Sequence, residues 1–424
     1  MNPLAETPMA TDLTVPEAQT CILERVRPLE AEEIGLAQAL GRALAEEVRA
    51  NRDLPPYDVS AMDGYAVCAA DLAEIPRTLQ IIEDIKAGDT PRFSLQPGQC
   101  ARIMTGAPLP PGADTVVRVE DTLLLENTKV EFPIPVKPAT DIRLRGENMR
   151  LGDVVLQTGE EITPATVSVL ATVKQAKVKV TRKPRVAILS SGDELEALDE
   201  PLDLSKIPDS NSHALMAQAQ ALGIEPVLLG IARDNPDELA AFLKRGLEYD
   251  VLLISGGTSV GDHDHVRPTL MTLGVAIHFW RVDMRPGHPI AFGTSGSTLV
   301  FCLPGNPVSS MVCFEQFVSP ALRQLMGHRR LFRRTIPVRL VQAVKSKQSR
   351  TEFVRATLSR DASGSYAATP GTSQSSGDVL SMTRADVLLV APSGRSGIPM
   401  GEIAQAQLLE TAVWQGNPDT EKIF

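Results

Sequence analysis

The sequence predicts a multidomain α/β protein in which a parallel α/β domain is combined with a β-rich insertion, a mixed helical segment and a C-terminal β domain. Three observations support this class. The chain has 424 residues, too many for one ordinary hydrophobic core. Strands alternate with helices from about residue 185 to residue 326. Residues 51–150 and 335–415 instead carry short apolar runs separated by turn residues.

The N-terminal region has helical periodicity. Residues 16–27 read as an amphipathic helix, because Pro16 suits a first helical turn. Leu36, Leu40 and Leu44 recur every four residues and predict a second helix that ends near residue 48.

The next hundred residues have a different character. Pro and Gly are frequent in 51–150, and short apolar runs occur at 78–85, 100–104 and 115–119, which predicts a β-rich insertion. Strand and helix signals resume at 154–156 and 167–180. These signals mark the end of the insertion.

The alternating region is predicted to form a parallel sheet covered by helices, and in such sheets ligands bind at the carboxyl ends of the strands. Its strands are predicted at 186–189, 226–231, 250–255, 276–282, 289–293 and 298–303, and its helices at 212–222, 236–247, 265–273 and 307–326.

A basic run at 329–334 marks the next boundary, although a solvated linker would have the same composition. Short strands follow at 336–340, 352–358, 387–390 and 402–409, which predicts a small β-barrel or sandwich. The predicted domains are 15–50 with 151–183, then 51–150, 184–330 and 331–424.

Composition excludes several classes. The net charge of −10 argues against a general nucleic-acid binder. The five cysteines are odd in number and form no CxxC pair, so neither a disulfide framework nor a structural zinc site is expected. No signal peptide is visible, and no apolar run reaches the roughly 20 residues that span a bilayer. We expect a cytoplasmic protein without a membrane or nucleic-acid partner.

Two glycine-rich turns follow strands of the α/β region. The turn at 255–261, Ser-Gly-Gly-Thr-Ser-Val-Gly, is equally consistent with a phosphate-binding loop and with a simple tight turn. In the turn at 303–309, Leu-Pro-Gly-Asn-Pro-Val-Ser, Asn306 and Pro307 also suit a helix cap and first turn, so a structural role would explain them equally well.

Charged residues follow the predicted strands. Asp193 with Glu194, Asp234, and Asp262 with Asp264 suit a Mg²⁺ ion held beside substrate phosphates, although each alone is more typical of a solvated loop. The His263 and His265 pair is a weak zinc candidate, because no cysteine is near. Basic groups that can bind an oxyanion gather in the next loop: Arg281, Arg285 and His288.

Six segments, taken together and in order, resemble the molybdopterin molybdotransferase family, which includes the E domains of gephyrin and of the plant cofactor-biosynthesis protein. The resemblance extends over about residues 15–410. The segments lie at 60–67 (SAMDGYAV), 103–108 (IMTGAP), 142–147 (IRLRGE), 191–194 (SGDE), 255–261 (SGGTSVG) and 303–309 (LPGNPVS).

The resemblance implies a molybdopterin-binding α/β domain, a C-terminal β-barrel and an elongated homodimer. It implies that each site lies between the α/β domain of one subunit and the insertion of the other. It also implies the reaction, in which molybdate is inserted into adenylylated molybdopterin and AMP is released with the help of Mg²⁺.

Carried over position by position, the resemblance implies two sets of site residues. The first is catalytic, and its last three members also bind Mg²⁺: Asp63, Glu194, Asp234 and Asp264. The second binds substrate: Thr105, Ser259, Arg285, His288, Pro304, Pro307, Ser309, Arg355 and Ser376.

The chain departs from the family pattern in two regions. Asn148 replaces an acid, and Arg281, Arg285 and His288 stand where lysines are common; a histidine is a weaker positive charge than lysine at neutral pH. Three alternatives follow from these observations. The chain could be a paralogue with altered oxyanion preference, an adenylyltransferase-type relative, or a non-catalytic molybdopterin-binding scaffold.

Overall fold

The computed structural model describes residues 10–126, 128–257, 265–346, 349–361 and 363–409. The chain divides into two compact units. The first comprises Met1–Glu33, Gly41–Ala45 and Lys179–Phe424, and the second comprises Ile34–Leu40 and Glu46–Val178. The four-domain division drawn from the sequence stays a prediction.

A seven-stranded mixed sheet organises the first unit, and six of its strands match the predicted ones closely, whereas Ala10–Leu13 was not predicted. Four adjacent strands are parallel. The outermost of them, Thr298–Leu303, forms an antiparallel pair with Ala291–Ser295. In spatial order the strands are Ala10–Leu13, Ala276–Val282, Ala291–Ser295, Thr298–Leu303, Val251–Ser255, Val186–Ser191 and Val227–Ala232.

The antiparallel pair is a difference from the fully parallel sheet that the sequence predicts. Ala291–Ser295 and Thr298–Leu303 are joined by a two-residue turn in which Gly296 has φ +57°. Such a turn connects antiparallel neighbours, whereas parallel neighbours need a longer crossover.

Helices cover both faces of this sheet, because alternate side chains of the central strand are buried in different cores. Val186 and Ile188 belong to the core beneath the helices Val15–Leu23, Ser210–Ala221 and Pro307–Cys313. Ala187 and Leu189 belong to the core beneath Pro236–Gly246 and Val266–Thr272. This alternation is the two-residue period of a strand that is buried on both faces.

The last helix of the α/β domain confirms the prediction over 307–326 and adds a π-helical turn. It runs through Pro307–Cys313, the π-helical Phe314–Val318 and Ser319–Leu325. Pro320 has no N–H with which to bond the carbonyl of Gln316, four residues earlier. That carbonyl instead accepts a hydrogen bond from Gln19 Nε2 at 3.1 Å, so the irregular turn is used to hold the N-terminal helix.

The second predicted helix, over residues 36–48, is wrong. The chain forms the strand Ala31–Gly35, the 3₁₀ turn Leu36–Gln38 and the short strand Val48–Arg49. Gly41 has φ +77°, which ends any helix, and Leu40 is 62% exposed. The four-residue leucine spacing therefore did not indicate a buried helical face.

The second unit contains the predicted β-rich insertion, built on a six-stranded sheet. Gly64 is required there, since a Cβ at this position would lie 2.0 Å from the Val117 carbonyl oxygen. In spatial order the strands are Thr115–Arg118, Gly64–Val67, Gln99–Ile103, Arg77–Ile85, Lys129–Phe132 and Leu123–Glu126. Smaller elements of this unit are Val59–Ser60 with Ile142–Arg143, Val48–Arg49 with Val154–Leu156, the 3₁₀ turns Ala69–Leu72 and Val119–Asp121, and the helix Pro164–Thr172.

The C-terminal region is a closed five-stranded β-barrel. The sequence predicts four of its strands, and the missed strand is Tyr366–Pro370. Around the barrel the strands are Thr351–Arg360, Tyr366–Pro370, Thr335–Leu340, Ile403–Leu408 and Val387–Ala391, which pairs again with the first. Met284–Arg285, from the α/β domain, adds to the first barrel strand.

The first unit also contains two short strand pairs and a short helix. They are Leu195–Glu196 with Ile207–Pro208, Val344–Lys345 with Gly397–Ile398, and the helix Leu380–Thr383. Within the described residues, no helix has both the length and the apolar character needed to cross a membrane.

Candidate active site

Two of the acids predicted at the strand ends, Asp193 and Asp234, lie together where two parallel strands end. Ser191 and Ala232 are in register at the ends of their strands, and the Asp234 N–H donates a hydrogen bond to Asp193 Oδ1 at 3.1 Å. Arg233 donates to the Leu195 carbonyl at 2.8 Å, which ties the second strand end to the loop after the first. The register of the strands is thus what brings these acids together.

Glycine at position 192 allows the Glu194 side chain to fold back over its own strand end. Gly192 has φ +153°, and a Cβ there would lie 2.3 Å from Glu194 Oε2. Gly256 has an equivalent role on the neighbouring strand, where φ is +91° and a Cβ would lie 2.4 Å from the Ser191 carbonyl oxygen. Both glycines of the sequence motifs are therefore needed for close approach.

Asn211 joins two more strand ends, a role that the sequence analysis missed. Its Nδ2 donates to Ser255 Oγ at 2.9 Å and to the Gly305 carbonyl at 2.7 Å. Its Oδ1 is buried and has no hydrogen-bond partner among the described residues. The only local signal is its position in the first turn of a helix capped by Asp209, whose carboxylate accepts from the Ser212 N–H.

The turn after the Thr298–Leu303 strand meets the barrel region. Pro304 and Ser309 are buried and Pro307 is half-buried in its helical turn. The Val308 N–H donates to the Ser376 carbonyl at 3.1 Å. Four predicted substrate residues, Pro304, Pro307, Ser309 and Ser376, therefore belong to one neighbourhood.

Arg355 is a buried cation with an incomplete set of partners. Only 1% of it is exposed, and its Nη2 donates to the carbonyls of Ser375 at 3.1 Å and Ser373 at 3.3 Å. Its Nε has no partner among the described residues. Burial lowers the pKa of Arg355, and the nearby charge of Arg285 acts in the same direction while Asp378 opposes it. A bound anion would supply the missing acceptor.

The two other basic candidates point to different acids. Arg285 lies 3.7 Å from a carboxylate oxygen of Glu352, in the strand pair that links the loop to the barrel. His288 Nδ1 lies 2.8 Å from the Val282 carbonyl, and its Nε2 lies 3.7 Å from Asp12 Oδ1. His288 is therefore surrounded by acceptors.

Asp63 and Thr105 form a pair in the second unit. Asp63 Oδ1 accepts hydrogen bonds from the Thr105 N–H and from its hydroxyl, both at 2.7 Å. These bonds hold the pKa of Asp63 below its usual value. Both residues are exposed, as is Asn148, where the family has an acid. The two sequence motifs that contain the pair therefore lie side by side. Ser259, Asp262, His263 and Asp264 lie outside the described residues.

Three family models match successive parts of this chain. The MoeA N-terminal region (domain I and II) matches residues 13–173, a probable molybdopterin binding domain matches residues 187–324, and the MoeA C-terminal region (domain IV) matches residues 337–409. The molybdopterin molybdenumtransferase of Nostoc sp. is 39% identical over 383 residues, which cover 88% of this chain and 87% of the relative.

The chain belongs to the molybdopterin molybdenumtransferase family. A relative of that name from Staphylococcus epidermidis is 32% identical, covering 95% of this chain and 96% of the relative. Two crystal structures of molybdopterin biosynthesis MoeA proteins from Pyrococcus horikoshii are also similar. One is 30% identical with a TM-score of 0.78 and covers 94% of this chain and 99% of that chain. The other is 28% identical with a TM-score of 0.81 and covers 94% and 100%.

These comparisons confirm the predicted family and the multidomain α/β fold with its C-terminal barrel. They do not favour the adenylyltransferase, paralogue or scaffold alternatives, because relatives that match nearly the whole chain carry the transferase name. The individual roles of the site residues stay predictions.

Proposed function

We propose that this chain inserts molybdate into adenylylated molybdopterin and releases AMP. The family membership and the match to a molybdopterin-binding domain support the transferase class and the pterin substrate. The observation that carries the molybdate assignment is Arg355, a buried guanidinium whose Nε has no acceptor among the described residues. A dianion beside it would offset the unfavourable burial of this charge.

The proposed molybdate site has Arg355 and Ser376 on its barrel side and Pro304, Pro307 and Ser309 on its α/β side, with Arg285 as a second cation. An arginine keeps its charge at all physiological pH values and presents paired N–H groups to an oxyanion. His288 was expected in this set. Its Nε2 faces Asp12, which would repel molybdate, so we place the anion on the arginines instead.

The strand-end carboxylates suit Mg²⁺, which takes oxygen ligands and shares them with substrate phosphates. Glu194 and Asp234 are both exposed, and the absence of a Cβ at Gly192 leaves room for the Glu194 carboxylate. With Asp264, these residues would hold the ion, which when bound would neutralise charge on the phosphoanhydride. The protein's own share is to orient that phosphoanhydride against the strand ends.

The functional unit is proposed to be a homodimer. The family resemblance implies that Asp63 and Thr105 of one subunit serve the α/β domain of the other. The exposure of this pair is compatible with use by a partner subunit, and the two bonds from Thr105 keep the Asp63 carboxylate ionised and oriented. An ionised carboxylate in that position would act on the substrate as a hydrogen-bond acceptor.

The direct test is AMP release from adenylylated molybdopterin in the presence of molybdate and Mg²⁺. We expect molybdate-dependent turnover, and we expect Asp264→Asn to lower it by about two orders of magnitude or more. Glu248→Gln is the matched control, because Glu248 is exposed just before the opposite, amino end of the Val251–Ser255 strand. Unchanged AMP release by a folded Asp264→Asn protein would exclude Asp264 as a Mg²⁺ ligand. A wild-type protein without turnover would exclude the proposed molybdate-insertion activity.

Subunit mixing tests the shared site. Asp63→Ala and Asp264→Ala proteins, each inactive alone, should regain part of the activity when their subunits are exchanged. Exchange can be verified by mass spectrometry of differently tagged subunits. If mixed dimers form and AMP release does not return, each site is contained within one subunit.

A further inference from the structure

Three side chains that can bind a metal meet at the edge of the seven-stranded sheet, and none of the predicted metal ligands is among them. They are Asp12, Asp283 and His288, and one ligand atom from each lies within 4.8 Å of the other two. Asp12 is exposed, whereas Asp283 and His288 are half-buried. The cluster draws on two segments that are far apart in the sequence.

Strand pairing brings these segments together. The edge strand Ala10–Leu13 runs parallel to Ala276–Val282, with Leu13 opposite Val282. The Asp283 N–H donates to the Leu13 carbonyl at 2.7 Å, which continues the pairing by one residue. The two carboxylates are therefore held at the same end of the same strand pair.

The imidazole presents a lone pair to these carboxylates. His288 Nδ1 lies 2.8 Å from the Val282 carbonyl oxygen, which can only accept, so Nδ1 carries the hydrogen. In the neutral ring, Nε2 is then an acceptor that faces Asp12 Oδ1 at 3.7 Å. A histidine that binds a metal through one nitrogen commonly donates its other N–H to a backbone carbonyl in this way.

The spacing is that of ligands around one ion. Zinc–nitrogen and zinc–oxygen bonds are about 2.0–2.2 Å, which places two ligands of a tetrahedral ion about 3.4 Å apart. The 3.7 Å between Nε2 and Oδ1 is close to that value and too long for a direct hydrogen bond.

The surrounding charge favours a cation. Asp12 and Asp283 bring two negative charges together, and among the described residues Arg350 partly compensates them, with its Nε 3.9 Å from Asp283 Oδ1. The Arg285 guanidinium lies beside Glu352 instead, at 3.7 Å. A net negative charge therefore remains for a bound ion to neutralise.

We propose that Asp12, Asp283 and His288 form a binding site for a divalent transition-metal ion, and that Zn²⁺ is the ion the site prefers. One imidazole nitrogen with two carboxylates suits Zn²⁺ better than Mg²⁺, which prefers oxygen ligands alone. The site does not depend on the proposed molybdate reaction. It would fix the N-terminal edge strand to the loop that follows Val282.

The experiment is a Zn²⁺ titration of the untagged protein by calorimetry, with saturating Mg²⁺ present to fill oxygen-only sites. We expect one Zn²⁺ per chain, and affinity at least about tenfold lower in His288→Gln and in Asp283→Asn. Zn²⁺ should also raise the Tm of the wild-type protein and leave the Tm of these variants unchanged. His213→Gln is the matched control, because His213 is half-buried in the same unit outside the cluster.

Two further measurements keep the test decisive. His288→Lys places a positive group beside Asp12 and offers no lone pair while charged, so it should fold and fail to bind Zn²⁺. Co²⁺ in place of Zn²⁺ should give a spectrum without thiolate charge-transfer bands, which excludes the cysteines as ligands. Zn²⁺ binding that is equal in the wild-type protein and in the His288 variants, or absent from the wild-type protein, would overturn the proposal.

Discussion

Arg355 in the first unit and Asp63 in the second are held in opposite ways. Arg355 is almost fully buried, and its Nε lacks a partner among the described residues. Asp63 is exposed, and one oxygen accepts two hydrogen bonds from Thr105. Burial works against the charge of Arg355, whereas the hydrogen bonds favour the charge of Asp63.

This difference separates two kinds of site residue. A buried, incompletely paired cation is unfavourable until an anion binds beside it. Relief of that unfavourable burial therefore adds to the binding free energy of the anion. An exposed carboxylate held by a threonine gains orientation but little electrostatic strength, because water screens it. Substitutions at the two positions should therefore differ in size and in kind.

The largest effect is expected at Arg355. Arg355→Met, which keeps the length but removes the charge, should lower molybdate-dependent AMP release by about 10²–10³-fold, as loss of an oxyanion donor does. Arg360→Met is the control, since Arg360 lies exposed on the same strand and stacks on Tyr366. Near-normal activity of a folded Arg355→Met protein at low molybdate would remove Arg355 from the anion site.

A smaller effect is expected at the Asp63 pair. Thr105→Val removes one of the two hydrogen bonds to the carboxylate and keeps the backbone N–H, so activity should fall by a few-fold to about tenfold. Because hydrogen bonds hold the pKa of Asp63 down, their loss should raise it and move the acid limb of the kcat/KM profile to higher pH. Thr105→Ser should restore the original profile. An acid limb that does not move would show that Asp63 does not control it.

A half-buried charge with several partners should affect stability and not turnover. Asp250 accepts hydrogen bonds from Arg182 at 2.7 and 3.1 Å and from the Arg185 N–H at 2.7 Å. Burial raises the pKa of Asp250, but these bonds outweigh burial and hold it at about 2. Relative to an unfolded value of about 3.9, this shift corresponds to about 2.6 kcal/mol, which solvent screening of the partly exposed group reduces to about 2 kcal/mol.

Asp250→Asn should therefore lower the free energy of unfolding by about 2 kcal/mol at pH 7. Since the folded pKa is depressed, the contribution is complete above about pH 5 and is lost as the pH falls through about 4 to 2. Urea unfolding of both proteins across this range measures it. A difference that stays constant down to pH 2 would mean that the carboxylate charge is not its source.

The smallest effect is expected at Asn211, which joins two strand ends but also buries an oxygen that has no partner among the described residues. Asn211→Ala should destabilise the fold by only about 1 kcal/mol, because removing the orphan oxygen offsets part of the two lost bonds. Ser255→Ala, which removes one acceptor, is the comparison variant. A loss of several kcal/mol, measured by urea unfolding, would show that Asn211 Oδ1 has a partner.

Much of the architecture follows from local patterns. The strands and helices from 186 to 326 and the insertion strands at 77–85, 99–103 and 115–118 were predicted within a few residues, because apolar periodicity and turn residues act over short distances. The strand-end acids Asp193 and Asp234 were also predictable, since parallel strands place their carboxyl ends at one edge.

By itself, then, the sequence determined the order of elements, the family and the motif residues of the site. Tertiary structure alone decided that Leu40 is exposed, that Ala10–Leu13 joins the sheet edge and that Tyr366–Pro370 closes the barrel. It alone decided that Arg355 is buried and that His288 faces Asp12. The physical reason is that burial and pairing depend on residues hundreds of positions apart, such as Asp12 and His288, whose contact no local pattern encodes.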